Sequence, residues 1–275
     1  MAILSSKDGF TPPLTDYDIL CDMLDTLVHS KYSGYFVLKG GFALSAYLHN
    51  KNLGYFDRKT TDLDLVFSSR EIWREFADEC GALFSTHSKF GLHFNLTGRI
   101  GQHHSWENGR LFFTVTDKDG LLYHPGIDMS AEELPEAQSL YLPGTKILIT
   151  SVSLETMLSD KLDALAKPKL LSRPWDIYDV FVLSNLKDYT LDVFMDYWED
   201  TGNIIRPGIP VYILDTGNWS ELRSSYNNSL YKYNFDIEFC DLLKKVITFI
   251  SPLYEYLLSK RKLAAVWSRE RWAWK

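Results

Sequence analysis

Asp62 and Asp64 stand two residues apart in Arg58-Lys59-Thr60-Thr61-Asp62-Leu63-Asp64-Leu65-Val66-Phe67, a segment of extended pattern. A strand alternates its side chains, so both carboxylates leave the same face. Left alone they repel each other, and a divalent cation between them offsets that cost. Oxygen donors of this kind suit Mg²⁺, which binds through a few carboxylates plus substrate phosphates. Upstream, Leu38-Lys39-Gly40-Gly41 sets a glycine pair between a short apolar strand and a helical pattern. Backbone without side chains can approach a bulky anion, and the free N–H groups of a helix start point at it. Asp128, in Gly126-Ile127-Asp128-Met129-Ser130, ends another extended segment. An adjacent antiparallel strand would bring it beside Asp62 and Asp64 and complete a two-metal site.

A further group lies downstream. Leu154, Met157, Leu158, Leu162 and Leu165 form the apolar stripe of a helix, and Lys161 lies on a different face. From there Lys161 could reach a triphosphate as a point charge. Asp176 and Asp179, three residues apart, share one face of the next helix. Each piece also has a plainer reading. The glycine pair can be an ordinary turn, Asp62-x-Asp64 a solvated strand end, and Asp128 a surface turn. Lys161, Asp176 and Asp179 can belong to a solvated charged face. The ordered set is more specific than its parts, because the Leu65-Val66-Phe67 run puts Asp62 and Asp64 at the mouth of a buried strand.

The elements that must carry these residues alternate in the first half of the chain. Apolar spacing predicts helices over 16–29, 42–49 and 69–80, the last with Ser68 or Ser69 as N-cap. Strands are predicted at 35–38, 63–67, 92–97, 111–116, 122–129 and 146–150, with a turn at Asp119-Gly120. Beyond about residue 150 the helical spacing takes over, at 154–166, 175–183, 191–199 and 235–258. A loop-rich stretch, 202–228, carries Pro207, Gly208, Pro210 and Gly217, and Val211–Leu214 within it reads as a strand or as apolar packing. We divide the chain into a mixed α/β part (1–150) and a helical part (151–275).

Composition excludes several classes. The 275 residues are 45 % hydrophobic and 24 % charged, which is globular usage. No run is long enough to cross a bilayer; Val246–Leu258 is the most apolar and is interrupted by Ser251, Pro252 and Glu255. Met1–Pro13 has no basic patch followed by an apolar core, so no signal peptide is expected there. Cys21, Cys80 and Cys240 are scattered with no CxxC spacing, which points away from a disulfide framework and toward a reducing cytoplasm. The net charge of −7 is unsuited to non-specific coating of nucleic acid. The end of the chain differs: Lys260, Arg261, Lys262, Arg269, Arg271 and Lys275 face only Glu270, among Trp267, Trp272 and Trp274. This tail is read either as an RNA-gripping segment or as a C-terminal helix packing its indoles on the core.

Taken in order, these pieces resemble the nucleotidyltransferase superfamily, and most closely the abortive-infection toxins of AbiEii/AbiGii type. The matching residues are Leu38-Lys39-Gly40-Gly41, Arg58-x-Thr60-x-Asp62-Leu63-Asp64, Ile127-Asp128-Met129-Ser130, Glu155–Leu165 around Lys161, and Asp176-Ile177-Tyr178-Asp179. The resemblance implies a polymerase-β-like α/β (α+β) core with a mixed sheet, and a helical C-terminal region closing over a nucleotide cleft. It implies Mg²⁺-dependent transfer of a nucleoside monophosphate from an NTP to an acceptor, with RNA such as the 3′ end of tRNA as the acceptor for related toxins. A cognate antitoxin would be the partner. Carried onto this chain, Asp62, Asp64 and Asp128 become the ligands of two Mg²⁺ ions, with Asp128 also a candidate general base. Lys161 becomes a catalytic cation. Lys39, Gly40, Gly41, Thr60, Asp176 and Asp179 become nucleotide-binding positions, the last two either orienting Lys161 or touching the nucleotide. Phe42 stands where the superfamily often has Ser, and Trp175 where the family usually has Arg, with Arg173 nearby.

Overall fold

Thr15 opens the first helix, α1 (Asp16–Val28), with a reciprocal cap: its hydroxyl accepts from the Asp18 amide, and the Asp18 carboxylate accepts from the Thr15 N–H at 2.8 Å. This is a computed structural model, which describes residues 13–101, 108–142, 145–191, 211–259 and 265–275. The chain continues through β1 (Phe36–Lys39), α2 (Gly40–Asn50), β2 (Asp62–Phe67) and α3 (Arg70–His87). Then come β3 (His93–Gly101), β4 (Asn108–Thr116), β5 (Leu122–Tyr123), β6 (Gly126–Ala131), β7 (Ala137–Tyr141) and β8 (Leu148–Val152). The second half holds α4 (Leu154–Leu165), α5 (Trp175–Leu186), β9 (Tyr189–Thr190), α6 (Trp219–Asn228), α7 (Phe239–Ser259), β10 (Val266–Ser268) and β11 (Ala273–Trp274).

Eight strands form one mixed sheet in the order β3-β4-β6-β2-β1-β8-β7, with β5 hydrogen-bonded to β4. The parallel pairs are β1/β8 and β2/β6; the neighbouring pairs are antiparallel. Helices bury the apolar residues of the central strands: α3 lies against β2, β3 and β6, and α2 against β1, β2 and β7. The expected mixed α/β architecture is what the chain forms. Residue 150 falls inside β8, and a continuous apolar core joins the two halves through Leu20, Phe42, Phe67, Leu158, Tyr178 and Trp267.

Several elements differ from the sequence reading, each for a physical reason. The α3 helix runs on past Cys80 because Phe84, fully buried, packs its ring on Phe94 and Phe113, which outweighs the helix weakness of Gly81. The predicted strand 122–129 breaks into β5 and β6 at Pro125, which has no N–H for the ladder. The β7 strand was not predicted: it is an edge strand with four of five residues exposed, so it shows no apolar alternation. Within the stretch read as loop, Tyr212–Leu214 is a 3₁₀ turn and α6 is a helix. Most of the predicted helix 191–199, and residues 202–210, lie outside the described residues.

The end of the chain is not a helix. β10 and β11 form a hairpin whose register sets Trp267 opposite Trp274, and β10 also pairs with β9. Trp267 is fully buried, with its Nε1 donating to the Ser184 carbonyl at 2.9 Å and its ring edge-on to Phe249. Trp274 donates to the Phe249 carbonyl at 2.9 Å. The Trp267 indole is therefore core and offers no face to a base. Lys260, Arg261 and Lys262 lie outside the described residues. Among the described residues no helix is long and apolar enough to cross a membrane. Cys21, Cys80 and Cys240 are all free thiols.

Candidate active site

The alternation of β2 sends Asp62 and Asp64 to one face while Leu63 and Leu65, fully buried, anchor the other. β6 pairs with β2 in parallel, with Asp128 directly opposite Asp64 and Gly126 opposite Asp62. The three acidic residues therefore meet at one end of two adjacent strands. The strand direction corrects the antiparallel expectation. The connection from β2 to β6 contains α3 and the β3–β4 hairpin, long enough to return the chain to the same end of the sheet.

The glycine pair lies beside them. β1 runs antiparallel to β2 with Lys39 opposite Asp64, so α2 starts at Gly40 against that carboxylate. Gly40 has φ +69°, and a Cβ there would fall 1.9 Å from Asp64 Oδ2. A Cβ on Gly41 would fall 2.7 Å from Arg58 Nη2. The space left by the missing side chains is thus taken by the site's own Asp64 and Arg58. The first turn of α2 has no side-chain cap, which leaves its N–H groups unclaimed by Lys39.

Burial acts on Asp64 and Asp128. Burial, then the neighbouring Asp64 charge, pushes the Asp128 carboxyl up to about 6, with Arg110 opposing. Burial also raises Asp64, against the pull of Lys161, Lys39 and Arg173. Arg110, from β4, sits opposite Asp128 in register and bridges the pair: Nη1 donates to Asp128 Oδ2 at 3.0 Å and Nη2 to Asp62 Oδ1 at 2.7 Å. Sequence reasoning missed Arg110 because the predicted strand began at Leu111; Asn108, Gly109 and Arg110 carry no apolar alternation, and pairing with β3 and β6 sets their extended form.

Lys161 is nearly buried on α4, whose N-cap Ser153 accepts from the Thr156 amide. Its Nζ lies 2.5 Å from Asp176 Oδ1 and 2.7 Å from Asp179 Oδ2, both carboxylates fully buried on α5. Arg58 holds Asp179 with a fork, Nε to Oδ1 at 2.6 Å and Nη2 to Oδ2 at 2.9 Å. Arg173 Nε lies 3.0 Å from Asp176 Oδ2. Three cations thus face two carboxylates, leaving one positive charge beside Asp64. Burial alone would raise the Asp179 carboxyl, but the charges and hydrogen bonds of Arg58 and Lys161 hold it well below the usual range. Burial alone would lower Lys161; Asp176 and Asp179 raise it, so it keeps its proton.

Asp176 and Asp179 both contact Lys161. Lys39 donates to Ser130 Oγ at 3.3 Å and lies 3.6 Å from Glu132. The Thr60 hydroxyl donates to the Asp62 carbonyl at 3.4 Å. Arg58 and Arg173 join the network without having been assigned a role; the partner of Arg58 lies 121 residues away, whereas Arg173 meets Asp176 three residues on, a spacing that was open to view. A cavity of about 530 Å³ opens elsewhere, between α1, Lys89-Phe90 and β8, and none of the three carboxylates lines it.

Among the described residues, no three acidic, His or Cys side chains are set closely enough to hold a metal ion as they stand. In donor chemistry, three carboxylates on adjacent strands are the oxygen type that a hard divalent cation takes.

Residues 22–239 match the family model described as nucleotidyl transferase AbiEii toxin, type IV TA system. No curated protein matches the chain. Among solved structures, a nucleotidyltransferase candidate from H. pylori aligns with TM-score 0.54 at 15 % identity, over 90 % of this chain and 97 % of its own. JHP933 from Helicobacter pylori aligns with TM-score 0.52 at 14 % identity, over 90 % of this chain and 96 % of its own. At such identity the likeness is one of fold.

Proposed function

Because this chain belongs to the nucleotidyl transferase AbiEii toxin family, we propose that it moves a nucleoside monophosphate from an NTP to RNA, the 3′ end of tRNA being the candidate acceptor. The observation that carries this reading is the register Asp64–Asp128 across β2 and β6, with Asp62 two residues away and Gly40 against Asp64. Asp62, Asp64 and Asp128 would hold two Mg²⁺ ions, which when bound lower the barrier to an in-line displacement at the α-phosphate by stabilising attacking and leaving oxygens. Asp128 would either hold the ion that activates the attacking hydroxyl or accept that hydroxyl's proton. The N–H groups at the start of α2 and the Lys39 ammonium would receive the β- and γ-phosphates. The unbalanced charge of the Lys161 network would neutralise part of the triphosphate from behind Asp64, with Asp176 and Asp179 holding Lys161 in place. Residues 1–150 would supply the acids and the glycine turn, and 151–275 the cationic wall.

In the cell, the protein would act in the cytoplasm as the toxin of a pair, restrained by a cognate antitoxin. The test is transfer from each of four labelled NTPs to total tRNA, with and without nuclease. Label should move to RNA in the presence of Mg²⁺ and vanish with nuclease, and Asp62→Asn should abolish it while leaving the melting curve intact. Label that survives nuclease and migrates with protein would redirect the reading to a protein acceptor. A folded Asp62→Asn protein with full transfer would refute the site.

A further inference from the structure

Arg110 is built into its bridging position. It lies directly opposite Asp128 across β4 and β6, and its guanidinium packs over the Phe112 ring, 5.1 Å from the centroid, on the same face of β4. Gly126, opposite Asp62, leaves the room: a Cβ there would fall 2.5 Å from Asp62 Oδ1 and 3.1 Å from Arg110 Nη2. Two of the fork's nitrogens are spent on Asp62 and Asp128, while the buried Nε finds no hydrogen-bond partner. The side chains remain solvent-accessible, at 35 % for Arg110, 30 % for Asp62 and 40 % for Asp128, so ions can reach them.

The chemistry of this bridge conflicts with metal binding at the same oxygens. A guanidinium has only donors and no lone pair to offer a metal, and its charge repels a cation a few ångströms away. While Arg110 holds Asp62 Oδ1 and Asp128 Oδ2, an ion approaching those oxygens meets its positive charge. Resting on the functional reading above, we propose that Arg110 is a positioning residue: an internal counter-cation that holds Asp62 and Asp128 aligned in the metal-free protein and gives way when the divalent ion loads. It sets the affinity for the ion and keeps the acidic end of β2 and β6 from splaying when the ion is absent. Nothing in this role requires Arg110 to touch the substrate.

The test uses Mn²⁺ as the probe, titrated calorimetrically into the full chain, together with melting temperatures in EDTA and in Mn²⁺. Arg110→Ala should bind Mn²⁺ about tenfold more tightly, the scale expected on removing one like charge from a partly solvated site. Its metal-free form should melt lower than wild type, and its gain on adding Mn²⁺ should be larger. Arg110→Lys keeps the charge without the fork and should bind Mn²⁺ nearly as wild type does. Arg110→Gln, neutral and similar in shape, carries the same test if the alanine variant does not fold. Equal Mn²⁺ affinity in wild type, Arg110→Ala and Arg110→Gln, with both melting temperatures lowered alike, would overturn the proposal and leave the functional reading standing. Asp62→Asn separates the two: if it binds Mn²⁺ as wild type does, the metal reading itself fails and takes this proposal with it.

Discussion

Asp179 shows how much of the site depends on single side chains that never face solvent. It accepts from Arg58 and Lys161 at once; without it Lys161 keeps Asp176, whereas the Arg58 fork loses its carboxylate. Breaking a buried pair by removing one partner leaves uncompensated charge, so Asp179→Asn should cost about 3–5 kcal/mol in urea unfolding at neutral pH. Because the folded-state carboxyl is held below its unfolded value of roughly 3.9, its contribution is complete above about pH 4. That contribution declines as pH falls further. Wild type should therefore lose more stability between about pH 5 and pH 3 than Asp179→Asn does, a difference that parallel urea titrations measure. The Asp62 and Arg110 variants ask a different question at the same scale. They report which cation the exposed acids hold, whereas Asp179 reports whether the wall behind them stands.

At the scale of elements, the junction of β1 and α2 is the hinge on which the geometry turns. Gly40 meets two demands together: a left-handed φ and backbone contact with the Asp64 carboxylate. Gly40→Ala meets neither, and a residue forced into that region costs about 1–3 kcal/mol. We expect a protein that still folds around β1 and β2, melts lower, and has lost nucleotide transfer because Asp64 is pushed aside. Circular dichroism melts paired with the labelled-NTP assay would show it, and full transfer by a folded Gly40→Ala protein would contradict it. Gly41→Ala presses instead on the Arg58 guanidinium, whose fork to Asp179 opposes its displacement. The two neighbouring glycines thus make room for different partners, although the sequence presents them as equals.

For the whole molecule, the shared core makes the two halves mechanically dependent. Trp267, near the end of the chain, is fully buried between α5 and α7 through Ser184 and Phe249. Tyr254 of α7 reaches α4 by donating to the Leu162 carbonyl at 2.6 Å, and the Tyr178 hydroxyl on α5 donates to the Phe56 carbonyl at 2.9 Å. Trp267→Ala should then cost about 3–5 kcal/mol, as large aromatic truncations in packed cores do. Unfolding should remain a single transition by fluorescence and by circular dichroism, and a variant that melts in two separated steps would show that the end of the chain folds apart from the sheet. The same burial bears on any RNA role for the tail. Deleting it removes a core indole, so charge reversal at Arg269 and Arg271 is the cleaner probe.

The alternation around Asp62 and Asp64, the apolar run behind them and the turn at the glycine pair are local properties, and they were legible because a strand's period and a glycine's freedom are written in consecutive residues. The ordered spacing of the acidic and basic pieces carried the family resemblance for the same reason. Arg110 was not legible: its partners lie 18 and 48 residues away, and no local pattern announces a guanidinium between two strands. The parallel direction of β6, the hairpin at the end of the chain and the turn of Asp176 and Asp179 toward Lys161 were likewise decided by folding. Which side of a strand pairs with which neighbour, and which charges share a dry space, depend on what the chain brings back from far along itself.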